Sequence, residues 1–271
     1  MKKHLKKLFN KIGFDIVRHR SAIEANLNFD ENLNYELETE AVKCISVVKN
    51  NTMLSKRRLV TLYQQVAYCE KYNIPGSFVE CGVWKGGATG LMALANLTLS
   101  DERRQLHLFD AFQEICEPDA FVDGERALRE VKELTGNSDR NQGRLQPLIG
   151  IYDSMGGVGT LDENKQLLET DINYPSDNIN YHVGWFQETL PSVHEQIDKI
   201  AILRLDGDWY ASTKICLEYL FNKVVKGGIV IIDDYGTYDG CRKAFDEFAE
   251  LNEIQCFLGS IDSDCRFFVK Q

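Results

Sequence analysis

Residues 201–235, AILRLDGDWYASTKICLEYLFNKVVKGGIVIIDDY, constrain this chain more than any other stretch. An apolar run leads into Asp206-Gly207-Asp208, an amphipathic helical pattern follows, and after Gly227-Gly228 a second apolar run ends at Asp233-Asp234. Short apolar runs bounded by turn signals are the pattern of strands buried on both faces, as in parallel sheets covered by helices. Two parallel strands joined by a helix bring their C-terminal ends side by side, so the four carboxylates share one crevice of an open α/β sheet. Ionised carboxylates at such quarters repel and raise one another's pKa unless a cation neutralises them. Oxygen ligands alone select a hard ion such as Mg²⁺ or Ca²⁺, and no His or Cys stands where zinc would need it.

Strand and helix patterns alternate through the chain around this unit. Strands are predicted at 77–81, 105–109 and 178–183, and helices at 41–48, from the N-cap Ser55 onward, and at 88–97, 124–134, 161–170, 188–197 and 240–251. Two short strands, 254–258 and 266–269, close the chain around a turn at 259–264 that is too short to hold a helix. The expected fold is α/β: a doubly wound, mostly parallel seven-stranded sheet, Rossmann-like, with its last strand antiparallel.

Charge narrows the function. With 41 Asp and Glu against 31 Lys and Arg, the 271-residue chain carries a formal net charge of −10. Phosphate backbones require a basic face, so a nucleic-acid partner is not expected and a small-molecule or glycan acceptor is. Eight cysteines without a C-x-x-C pair read as reduced thiols of a cytoplasmic protein. Residues 1–20 are basic with apolar positions at helical spacing, which fits either weak peripheral membrane or partner contact or a solvated terminus. No apolar run there has the length of a signal peptide or a membrane span. Residues 21–40 read as a linker or lid. The division expected is 1–50 as an amino-terminal segment and 51–271 as the main domain.

A second constellation precedes the first. Glu80-x-Gly82-x-x-x-Gly86-Gly87 lies at a strand-to-helix turn, where glycine lets a ligand approach the backbone and a helix N-terminus offers free N–H groups. Its spacing is not the Gly-x-Gly-x-x-Gly of nicotinamide sites. Glu80 stands ready to orient the turn or, through water, the cationic end of a ligand. Asp110, ending the next predicted strand, is placed to accept ribose hydroxyls; after the third, Gly184 allows close approach and Trp185 or Phe186 could cover a purine face. Each has a bland alternative, a loop cap for the acid and core packing for the aromatic. Together they favour a nucleoside ligand.

These residues in this order resemble the macrocin O-methyltransferase family. The likeness is carried by the runs 53–59 (MLSKRRL), 74–87 (IPGSFVECGVWKGG), 184–191 (GWFQETLP), 203–210 (LRLDGDWY) and 227–235 (GGIVIIDDY). It implies a class I enzyme dependent on S-adenosylmethionine and Mg²⁺ that methylates hydroxyls of sugars or glycosylated small molecules, and a homo-oligomer. By position the resemblance makes Asp206, Asp233 and Asp234 metal ligands and Asp208 the general base. Glu80, Gly82, Trp84, Gly86, Asp110, Gly184, Trp185 and Asp206 would line the cofactor site. Residues 1–50 and the glycine-rich insert around 156–159 have no counterpart in the resemblance. Two other readings stay open: a catechol-type methyltransferase, and a non-catalytic subunit that binds S-adenosylmethionine.

Overall fold

The computed structural model describes residues 39–271. The expected basic helix at 1–20 and nearly all of the linker at 21–40 lie outside the described residues. Strands β1 (Ser77–Cys81), β2 (Leu106–Asp110), β3 (Ile179–Val183), β4 (Ile200–Leu205), β5 (Val224–Ile232), β6 (Gly259–Ser260) and β7 (Arg266–Val269) form one 7-stranded sheet in the order β3-β2-β1-β4-β5-β7-β6. The first five are parallel, and β7 runs antiparallel to both β5 and β6. The helices are α1 (Thr39–Val48), α2 (Lys56–Lys71), α3 (Gly87–Leu99), α4 (Gly124–Thr135), α5 (Leu161–Lys165), α6 (Phe186–Val193), α7 (Tyr210–Leu220) and α8 (Asp239–Leu251).

Successive residues of a strand face opposite sides, and the two cores follow that rule. Phe78, Leu108, Ile202 and Ile231 pack under α1, α2 and α3 on one face. Their neighbours Val79, Phe109, Leu203 and Ile232 pack under α6, α7 and α8 on the other. Helices on both faces make the sheet the middle of three layers, as the uninterrupted apolar strands require.

Two expectations change. Helix α1 buries Ala41, Cys44, Ile45 and Val48 in the first core, so the sheet-bearing domain begins before residue 51. Residues 254–258 alternate in burial as a strand would, but among the described residues they join no ladder. Pairing with β7 begins only at Gly259, within the segment expected as the turn. All eight cysteines are free thiols, and all but Cys256 are buried.

Candidate active site

The sheet order reverses between β1 and β4, and a doubly wound sheet opens its crevice at such a switch point, outside the carboxyl ends of the strands. Arg204 sits in the penultimate position of β4, in register with Glu80 of β1, and is buried to 2%. A buried guanidinium needs carboxylate partners, and this one has three. Its Nη1 donates to Glu80 Oε1 and to Asp206 Oδ2, each at 2.7 Å, and its Nη2 lies 2.7 Å from Asp233 Oδ1. The other Asp233 oxygen accepts from Arg58 Nη1 at 2.5 Å. Arg58 stands in the first turn of α2, which Ser55 caps, and also reaches Asp262 in the β6–β7 turn at 2.7 and 3.1 Å.

Beside this arginine-held layer lies an acidic cluster. One carboxylate oxygen from each of Asp206, Asp208 and Asp234 can be chosen so that all lie within 4.8 Å of one another. Asp234 is buried, and its Oδ2 has no hydrogen-bond partner. Asp208 is held in a left-handed conformation, φ 58°, and the next residue, Trp209, anchors the turn by donating from Nε1 to the Cys116 carbonyl at 2.8 Å. Burial, with the charge of Asp206 behind it, pushes Asp208 up to about 7. Burial and the neighbouring Asp208 push Asp234 well above the usual carboxylate range. Burial raises Asp233 to about 6 and Glu80 to about 7, against the opposing pull of Arg204. Raised in this way, Asp208 and Asp234 favour their protonated forms unless added positive charge ionises them, and the donors of the cluster are all oxygen, so it fits a hard divalent cation.

The glycine-rich turn forms the other wall. Gly82 continues the sheet by donating to the Phe109 carbonyl at 2.9 Å, and its φ of 88° and the adjacent Asp206 carbonyl leave no room for a side chain. Asp110 ties the turn in place: Oδ2 accepts from the amides of Val83 (2.6 Å) and Trp84 (3.1 Å), and Oδ1 from Phe112 (2.6 Å). Gly86, φ 81°, precedes the first residue of α3. Gly184 donates to the Asp110 carbonyl at 3.0 Å, and Trp185 packs against the small cluster of Cys116, Ala127 and Trp209. Between the walls is a cavity of about 320 Å³. It is lined by Gly82, Trp84 and Asp110 on one side, Asp206, Asp208 and Asp234 on the other, and by Trp185 and Tyr152.

The family comparison decides what this pocket belongs to. The family model for macrocin O-methyltransferases matches residues 17–144 and 165–270. The chain belongs to the macrocin O-methyltransferase family. It is similar to the demethyldecarbamoylnovobiocin O-methyltransferase of Streptomyces niveus, with 35% identity over 79% of this chain and 73% of the relative. To the 8-demethyl-8-(2,3-dimethoxy-alpha-L-rhamnosyl)-tetracenomycin-C 4'-O-methyltransferase of Streptomyces olivaceus it is 31% identical, over 78% and 72%. The solved structure of the O-methyltransferase NovP superposes with a TM-score of 0.65 at 30% identity, covering 82% of each chain. The calicheamicin methyltransferase CalS11, at 18% identity and a TM-score of 0.55 over 93% and 94%, shares the fold. The chain is therefore an enzyme, an O-methyltransferase.

In this methyltransferase the residues singled out in the sequence line one pocket except Gly86, which lies beside Asn164 and Leu167, and three of them have partners that the sequence did not predict. Asp233, expected in the metal set, has both oxygens on arginines, and the close cluster contains Asp208 in its place. Both aspartates follow β5 and line the cavity, and what separates them is that Arg58 and Arg204 reach Asp233. Asp110 lines the cavity and also accepts from three backbone amides. Glu80 lines the cavity, and it gives one oxygen to Arg204 and the other to the Thr89 hydroxyl of α3. Arg204, Arg58 and Tyr152 had been given no role. The signal for Arg204 was available, since a lone arginine inside an apolar strand demands buried acids. No helix among the described residues is long and apolar enough to cross a membrane.

Proposed function

We propose that this methyltransferase moves the methyl group of S-adenosylmethionine to a hydroxyl of a sugar ring carried by a small molecule or glycan. The same proposal has Asp206 and Asp234 holding a hard divalent cation beside the acceptor. The observation that carries it is the convergence of Asp206, Asp208 and Asp234 on a cavity whose opposite wall is the glycine-rich turn. The relatives support the acceptor class, since their names specify a novobiocin precursor, a rhamnosyl tetracenomycin and mycinamicin III.

When bound, Mg²⁺ lowers the pKa of a coordinated hydroxyl. The chain's own part is positioning and proton transfer. Arg204 fixes Asp206 through its bond at 2.7 Å, and Asp234 presents the oxygen that has no protein partner. Asp208 accepts the hydroxyl proton, at a carboxyl that burial already holds near neutrality, where a general base works best. The Gly82 backbone and the cavity-lining start of α3 at Ala88 would receive the cofactor's amino-acid end. S-adenosylmethionine would supply the methyl group, its sulfur keeping the electron pair of the broken bond as the hydroxyl oxygen takes the carbon, and Asp208 would take the hydroxyl proton.

The test is methyl transfer from labelled cofactor to demethyldecarbamoylnovobiocin, to a panel of deoxysugar glycosides and to catechols, with EDTA and with Mg²⁺ restored. Transfer to a sugar hydroxyl that stops in EDTA and returns with Mg²⁺ is expected. Asp206→Asn and Asp234→Asn should abolish it while S-adenosylhomocysteine still binds. Full activity in EDTA would remove the cation from the mechanism, and preference for a planar diphenol would overturn the acceptor class. Asp233→Asn separates the two ligand sets: an unchanged Mg²⁺ requirement leaves Asp233 as an arginine anchor, and a large increase restores it to the ion.

A further inference from the structure

The family model matches the residues on either side of 145–164 but not these, so the match itself says nothing of what they do at the pocket. Their start is fixed to the loop that follows β2. Leu148 donates to the Ile115 carbonyl at 2.8 Å, and the buried Glu114 accepts from the amides of Gly150 (3.0 Å) and Tyr152 (3.3 Å). Leu148 and Ile151 pack with Val131 of α4. Ile151, Tyr152 and Met155 then form part of the cavity wall.

The rest of the segment is fastened to Trp84 and Lys85 of the glycine-rich turn. Lys85 Nζ donates to the Gly156 carbonyl at 2.6 Å, and Trp84 Nε1 to the Gly157 carbonyl at 3.1 Å. Gly159 lies so close to the Trp84 carbonyl that a Cβ there would overlap it, although the glycine's own backbone conformation would admit alanine. Asn164, fully buried, donates from Nδ2 to the Trp84 carbonyl at 2.7 Å and to Thr160 at 3.0 Å. Trp84 itself has φ 47°, a left-handed conformation that a bulky residue keeps only when its surroundings over-determine it. Its amide is held by Asp110, but its carbonyl and its indole N–H are held by the unmatched segment.

We propose that residues 145–164 are a strap that sets how tightly the pocket holds its cofactor, with Asn164 as a positioning residue that acts through Trp84. Asn164 is not among the residues lining the cavity, so any effect it has on a ligand there must travel through the turn it holds. The inference rests on the reading that the cavity takes S-adenosylmethionine.

S-adenosylhomocysteine is the probe, titrated by calorimetry into the full chain and its variants, with the melting temperature of each measured alone. Asn164→Asp keeps the shape and loses both donated bonds; it should weaken binding about tenfold, the equivalent of one buried hydrogen bond. Lys85→Met, at a half-exposed side chain that does not line the cavity, should weaken it about threefold with little change in melting temperature. Binding within twofold of wild type in both folded variants overturns the proposal. Should Asn164→Asp fail to fold, Lys85→Met and Gly159→Ala decide by the same criterion. A wild-type chain that does not bind the probe sinks the cofactor reading and this one with it, whereas variants that match a binding wild type sink the strap alone.

Discussion

Replacing Arg204 by Met tests the electrostatic frame on which the whole site stands. The guanidinium is buried to 2% and serves Glu80, Asp206 and Asp233, each at 2.7 Å. Without it the two deeply buried acids escape by keeping their protons, and the cost of that escape depends on how far each already is from neutral form. At pH 7.5 Glu80, held at about 7, has roughly half a unit left to climb, and Asp233, held at about 6, roughly one and a half. At about 1.36 kcal/mol per unit the pair comes to about 3 kcal/mol. That agrees with the lower end of the roughly 3–5 kcal/mol lost when one partner of a buried pair is removed. Asp206 adds little, because its carboxylate is 30% exposed. The sign follows from both folded values lying above the unfolded ones. The stability these groups contribute is fully present below the unfolded carboxylate range and is lost as pH rises through about 6 and 7. Removing the arginine carries that loss to still higher pH, so the variant's deficit must grow from pH 5.5 to 7.5. Urea unfolding in EDTA at pH 5.5, 6.5 and 7.5 measures it. A deficit equal at both ends would mean that only packing was lost, and the charge argument would fall.

Two further perturbations probe other layers. His107 Nδ1 and His182 Nε2 lie 3.1 Å apart between β2 and β3, and burial holds both at about 4. Folded values below the unfolded one mean that the stability they contribute is present above about 6.5 and lost as pH falls through about 4. Changing both to Gln should therefore flatten the acid limb of the stability curve by about 3 kcal/mol after discounting the half-exposed His182, and an unchanged limb in urea titrations would count against it. Asp110→Asn puts an amide donor where three backbone N–H groups now find acceptors. It should cost about 1–3 kcal/mol in calorimetric stability and weaken S-adenosylhomocysteine, and a variant with wild-type values in both would show that the turn holds itself.

The sheet was legible because its evidence is redundant. The strands β1, β2 and β4 and the second half of β5 are buried and leave nearly unbroken apolar runs, and the glycines and acids at their carboxyl ends punctuate them. The extended stretch at 254–258 misled because alternation reports burial, and burial does not require a ladder partner. The acidic site was legible as a set, since topology alone brings the ends of β4 and β5 together. How the set divides was not. Asp233 and Asp234 are equivalent as letters, and what separates them is Arg58, which arrives from α2 across a long stretch of sequence. The segment 145–164 was opaque for a similar reason: its glycines mark turns, but only the fold shows that those turns close on Trp84.

Charge explains why such a site carries two arginines as well as its acids. Glu80, Asp206, Asp208, Asp233 and Asp234 are five formal negative charges, and Arg58 and Arg204 supply two positive ones. On the proposed mechanism a divalent cation leaves an excess of one negative charge, and the sulfonium of the incoming cofactor cancels it. Methyl transfer destroys that sulfonium charge, and in the same event the acceptor hydroxyl delivers a proton to Asp208. The buried pocket therefore has the same total charge before and after the step, which keeps an uncompensated buried charge from appearing at any point along it. Asp208→Asn breaks this balance while leaving the cofactor's own contacts in place. It should slow turnover far more than it weakens S-adenosylhomocysteine, and the residual rate should rise with pH, because solvent hydroxide is then the only base left to take the proton. A variant whose turnover and pH profile both match wild type would return Asp208 to the role of a ligand alone.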